Sequence, residues 1–276
     1  MIRIKPRLVT IIAGKEFWDR IRSRWVLAAA AIFTLFALVI AYFGSAQAGA
    51  VGFKGMDLTI ASLVSLVIYL VPLISLILGY DALVGERERG SLDLLLTMPI
   101  TRLELILGKY LGLGAALACS TIAGFGLAGI VLSYGIGVTA LLHYASFILT
   151  TLLLGLAFLS LALLLSVYCT SKVAASGIAI ALWFFYVLVY DLLLVGMLVV
   201  VGGGGYVGRI FPLLMLLNPA DIFRILNVYN LEEVRSLYGL ATVMPETLAS
   251  YWALGLGLVC WIVIPLVIAY KHFRDT

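Results

Sequence analysis

The side chains able to do chemistry in this chain gather in three places. The first is Gly85–Lys109, where Glu86, Arg87, Glu88 and Arg89 precede Ser91, Leu92, Asp93, Leu95, Leu96 and Met98. Mixed charges followed by leucines at helical spacing suit a surface that docks a protein partner, not a site that breaks bonds. The second is Asp191, a carboxylate deep inside an apolar run. An intramembrane charge marks a transport pathway, or else a residue hydrogen-bonded to Tyr190, Tyr186 or a neighbouring helix. The third is Asn218-Pro-Ala-Asp221 with Phe223 and Arg224. It reads as a capped helix start that could meet a partner outside the membrane.

Enzymatic constellations are missing. No Gly-x-x-x-x-Gly-Lys-Ser/Thr loop occurs, so the chain cannot cradle nucleotide phosphates in that way. There is no HExxH, no GxSxG and no acidic pair on one helix, and His143 and His272 stand unaccompanied. Cys119, Cys169 and Cys260 form no CxxC pair and read as small apolar side chains. Met56, Met197, Met215 and Met244 are soft-ligand types, but their wide spacing makes them apolar filler. The expectation is a non-enzyme holding neither metal nor cofactor of its own.

The elements that must position these residues are membrane helices. The 276 residues are 64% hydrophobic and 12% charged, with a mean hydropathy of +1.17. A bilayer crossing needs about 20 apolar residues. Six such runs are expected, at Trp25–Phe43, Thr59–Gly79, Tyr110–Ser133, Tyr144–Tyr168, Val173–Val201 and Thr247–Tyr270. The third and fourth divide at the hairpin Ser133-Tyr-Gly-Ile-Gly137. The first run begins behind a charged segment, so no removable signal peptide is expected. Pro72 and Pro265 predict kinks, and Gly108-x-x-x-Gly112 permits close helix contact.

Most Lys and Arg residues fall on the side that carries both termini and the Gly85–Lys109 island. That side is expected to be cytoplasmic, with N-in and C-in topology in a bacterial inner membrane. The net charge of +4 follows from this asymmetry, and no nucleic-acid partner is needed to explain it.

Three extramembrane elements complete the single transmembrane domain, residues 1–276. Residues 6–24 form an interfacial helix with Leu8, Ile11 and Trp18 at helical spacing, or else a plain positive-inside flank. Residues 85–99 form a short surface helix opened by Gly90-Ser91 and closed by Pro99, unless Glu86–Arg89 is a solvated loop. Thr101-Arg-Leu-Glu104 reads as a capping box that starts the next helix. Residues 202–246 are an outer loop with short helices, able to act as a lid or docking face.

The island resembles the signature of ABC-2-type permeases. In that family an acidic, Gly-containing stretch like Gly85-Glu-Arg-Glu-Arg-Gly-Ser91 leads to a Leu-rich helix and a Lys-terminated stretch such as Leu103–Lys109. Ser91 stands where threonine is more usual. The resemblance implies an all-α membrane protein of six transmembrane helices, with an N-terminal interfacial helix and a cytoplasmic coupling helix of the type V exporter kind. It implies that Glu86–Met98 docks into a separate cytoplasmic ABC ATPase, which binds ATP and Mg, and that the permease is a homodimer. Length and Leu217-Asn-Pro-Ala-Asp-Ile-Phe-Arg224 further resemble permeases encoded with nitrous oxide reductase maturation factors. That implies a NosF-like ATPase, a periplasmic NosD-like β-helix protein and a role in copper-site assembly. The alternatives are an ion-coupled secondary transporter or a non-transporting scaffold that passes motion to a periplasmic partner.

Overall fold

The computed structural model describes residues 5–43, 56–133, 138–201, 206–228 and 250–275, which are helices joined by short turns. In chain order they are α1 (Pro6–Arg22), α2 (Trp25–Phe43), α3 (Met56–Gly79), α4 (Val84–Glu88), α5 (Ser91–Thr97), α6 (Arg102–Ser133) and α7 (Val138–Tyr168). Then come α8 (Lys172–Phe184), a π-helical turn (Phe185–Val189), α9 (Tyr190–Val201), α10 (Tyr206–Leu216), α11 (Pro219–Val228) and α12 (Tyr251–Asp275). Hairpin residues 134–137, the glycine run 202–205 and Pro245-Glu246 lie outside the described residues, as does most of the outer-loop expectation past Val228.

Among the described residues, five helical segments are long and apolar enough to cross a bilayer. The number rises to seven if each of two bent pairs is one span. One pair is α1 with α2, which meet at 63°, and the other is α10 with α11, which meet at 105°. The expectation of six lies between these limits. Its first span is α2. The α10–α11 pair falls in the stretch expected to be an outer loop.

Helix association in lipid depends on close packing, because lipid tails are as apolar as leucine. Small residues supply it here. A Cβ on Gly124 of α6 would lie 2.6 Å from the Phe33 Cβ of α2. One on Gly79 of α3 would lie 2.8 Å from the Ala162 Cβ of α7. An aromatic seam fills the bundle. Phe33 stacks on Phe125 at 5.0 Å, Phe125 meets Phe147 edge-on at 5.4 Å, and Phe147 reaches Phe223 at 6.2 Å between ring centroids. These four rings come from α2, α6, α7 and α11, so α11 belongs to the core. By contrast, α8, α9 and α12 leave large apolar side chains exposed, among them Leu192, Val199 and Trp252.

The proline-bearing helices α3 and α12 continue through Pro72 and Pro265. The capping box is realised. The Thr101 amide and hydroxyl donate to Glu104 Oε2 at 2.7 and 2.8 Å, and the Glu104 amide donates to the Thr101 hydroxyl at 3.2 Å. The other Glu104 oxygen accepts from the Lys5 amide at 2.6 Å, which ties the start of α1 to the start of α6.

Candidate functional site

The residues of α4 fasten three different helices. Glu86 Oε1 accepts from Lys109 Nζ of α6 at 2.7 Å. Arg87 donates to the carbonyls of Val167 and Cys169, at 3.2 and 2.9 Å, satisfying acceptors left open where α7 ends. Glu88 accepts from the Lys172 amide at 2.7 Å, at the positive end of α8. The Leu83 and Val84 amides add bonds to the Ser166 hydroxyl of α7 at 2.8 and 3.0 Å. Burial pushes the Cys169 thiol pKa up, with Arg87 opposing the shift.

Lys109 is a shared partner. Its ammonium lies 2.7 Å from Glu16 Oε1 of α1 as well as from Glu86, and its side chain is 2% exposed. One cation between two buried carboxylates joins α1, α4 and α6. The second Glu86 oxygen is buried and has no hydrogen-bond partner among the described residues. Gly108 and Gly112 bring α1 close enough for this. A Cβ at Gly108 would sit 2.6 Å from the Ile12 Cβ, and one at Gly112 would sit 2.5 Å from the Ala13 carbonyl oxygen. The glycine pair is therefore the seat of α1. Its facing residues Val9, Ile12, Ala13 and Glu16 recur at helical spacing. Arg20 of α1 adds an ion pair to Asp81, at 3.0 Å. The other side of α1 leaves Ile11 and Trp18 exposed.

The island residues thus divide. Glu86 and Leu92 are buried, Arg87, Ser91, Leu95 and Leu96 are partly buried, and Glu88, Arg89, Asp93 and Met98 are exposed. The Ser91 hydroxyl donates to the Glu86 carbonyl at 3.2 Å, and Gly90 supplies the left-handed turn, at φ 69°, between α4 and α5. Leu92, Leu95 and Leu96 pack inward with α6, α7 and α12. Leu94 joins the exposed set. It lies opposite Leu92 on the helix, outside the Leu92, Leu95 and Leu96 set that the sequence singled out.

At the other end, residues expected to serve two roles come together. Arg224 Nη2 lies 2.6 Å from Asp191 Oδ2, and its Nη1 lies 2.6 Å from Asp221 Oδ1. Asn218 caps α11 by accepting from the Ala220 amide at 3.0 Å, and its amide donates to Asp221 Oδ2 at 3.0 Å and to the Tyr186 carbonyl at 2.9 Å. Tyr186 belongs to the π-helical turn, so this network pins the turn to α11. Asn218, Asp221 and Phe223 are fully buried in the chain's own core, and Arg224 and Asp191 are only partly exposed. Within this single chain, the four residues expected to meet a periplasmic partner point mainly into the bundle. The spacing of 33 residues between Asp191 and Arg224 hid the pairing from the sequence.

Among the described residues, no group of three or more His, Cys, Asp or Glu side chains is arranged to hold a metal ion.

The chain matches the family model described as ABC-2 family transporter protein over residues 10–275. It is 42% identical over 273 residues to a Pseudomonas aeruginosa protein called "Probable ABC transporter permease protein NosY", covering 97% of this chain and 98% of that one. A protein of the same name from Stutzerimonas stutzeri is 40% identical over 270 residues, covering 95% and 96% of the two chains. A buried helical bundle bearing a charged α4–α5 unit, matched along nearly its whole length, makes this chain a multi-pass membrane protein of the ABC-2 transporter family, similar to the NosY permeases.

Proposed function

We propose that the chain is the permease half of an ATP-driven transporter, with α4 and α5 as the lever on which a separate cytoplasmic ABC ATPase pushes. One observation carries this reading: Glu86, Arg87 and Glu88 tie α4 to α6, α7 and α8 in succession, while α5 keeps Asp93, Leu94 and Met98 exposed. A unit bonded to three helices passes a push to all of them. On this reading the α4–α5 end is cytoplasmic, both termini lie inside, and ATP and Mg stay on the ATPase.

Two copies form the working permease. The ATPase is NosF-like, a NosD-like periplasmic β-helix protein receives the motion or the cargo, and the assembly serves copper-site maturation of nitrous oxide reductase. The similarity to NosY permeases along almost the full length supports that assignment. An ion-coupled carrier is disfavoured by Asp191, whose carboxylate is held by Arg224.

The test is co-expression with a candidate NosF-like ABC ATPase, followed by co-purification and assay of nitrous oxide reductase copper in a strain lacking the permease. The proposal expects a stable complex, and a reductase that loses copper until the permease is restored. A reductase fully loaded without the permease would remove the copper role. Failure of any ABC ATPase to bind would remove the lever.

A further inference from the structure

We propose that the crevice between α2, α3 and α6 is a specific site for one zwitterionic phospholipid, with an ammonium and a phosphate in its headgroup, drawn from the leaflet at the α4–α5 end. The crevice is an open apolar slot that Ala29, Ile74, Ile77 and Ala116 help to line. Ser120 lies on the same wall, and its hydroxyl donates to the Leu117 carbonyl at 2.8 Å. Alanines on two facing helices leave room for a hydrocarbon chain. Ser120 is 18 residues past the start of α6 at Arg102, so the slot reaches well into the hydrocarbon layer.

The mouth is ionic. Arg20 and Asp81 line the slot as a pair at 3.0 Å, and both side chains are about one-quarter exposed. The same two residues line an adjoining polar crevice with Lys15, Asp19 and Arg89. Lys109, Glu16 and Glu86 also border that crevice but are bonded to one another. Cations and carboxylates thus both stand at the rim. A headgroup with a phosphate and an ammonium can meet both signs, the phosphate at Lys15 or Arg89 and the ammonium at Asp19, whereas a purely anionic headgroup leaves the Asp19 carboxylate repelled rather than paired. The height fits as well. The rim is set by α1, whose exposed Ile11 and Trp18 are the side chains an interfacial helix lays into the headgroup boundary. The inference is independent of the cargo and of the ATPase.

The experiment is native mass spectrometry of the full-length chain in detergent, titrated with phosphatidylethanolamine or phosphatidylglycerol of identical acyl chains. The expected result is one retained phosphatidylethanolamine per chain, bound at least tenfold more tightly than phosphatidylglycerol. Ala116→Phe, which fills the slot, should lower that affinity at least tenfold, and Asp19→Asn should erase the preference between headgroups. If Ala116→Phe does not fold, Ala29→Leu supplies the same block from the opposite wall. Equal retention of both lipids, or retention unchanged by a folded slot-filling variant, would overturn the proposal.

Discussion

Lys109 Nζ lies 2.7 Å from Glu86 Oε1, with the lysine side chain only 2% exposed. The same ammonium holds Glu16 at 2.7 Å, so one residue of a membrane helix fastens both α4 and the N-terminal helix. A buried charge without its partner is far costlier than the intact pair is stabilising. Lys109→Met should therefore destabilise the chain by about 3–5 kcal/mol. Glu16→Gln, which leaves the Glu86 pair in place, should cost roughly 1–3 kcal/mol. Thermal unfolding in detergent, followed by circular dichroism, gives the ranking.

The seat of α1 yields a contrast between two glycines of one helix. A Cβ at Gly112 would approach the Ala13 carbonyl oxygen to 2.5 Å, whereas one at Gly126 meets nothing within 4 Å among the described residues. Gly112→Ala should force α1 off α6 at a cost of about 1–3 kcal/mol. Gly126→Ala should raise stability by up to about 1 kcal/mol, because alanine favours the helix. A cysteine pair placed across α1 and α6 should lose disulfide formation in the first variant and keep it in the second.

Arg224 sits between Asp191 and Asp221 at 2.6 Å from each. Arg224→Met leaves two carboxylates facing each other and should cost about 3–5 kcal/mol. Asp191→Asn should cost less, since Asp221 still pairs with the arginine. In a double-mutant cycle with Arg224→Gln and Asp191→Asn, the combined loss should fall short of the sum by at least about 1 kcal/mol. Additive losses would show that the two side chains do not act together.

Local grammar was readable from the chain, whereas distant pairing was not. Thr101 with Glu104, and Asn218 with Pro219, announced helix starts because a cap acts within three residues of itself. The spacing of Leu92, Leu95 and Leu96 showed that they share one face of α5, expected to serve the partner, and only the fold shows that this face packs inward. The partners of Glu86, Asp191 and Arg224 were not, since each depends on a helix distant in sequence. An unpaired charge in a sequence looks available to a partner protein, and only the fold shows that another helix has already claimed it. For the same reason the sequence showed α11 as a short amphipathic helix but not what covers its apolar face. Its apolar face is covered by α3, α7 and α12, and its arginine is neutralised by α9. The π-helical turn at Phe185–Val189 carried no sequence signal of its own.

The central claim is that α5 is the contact through which an ATPase moves this bundle, and its exposed face tests it most directly. The double variant Asp93→Lys/Met98→Asp alters only exposed side chains. Its affinity for the co-expressed ABC ATPase, and the ATP hydrolysis rate of the complex in nanodiscs, should be measured against wild type at matched expression and melting temperature. The account predicts binding at least tenfold weaker and a matching loss of permease-stimulated turnover, with the fold intact. Unchanged binding together with unchanged stimulated turnover would contradict it.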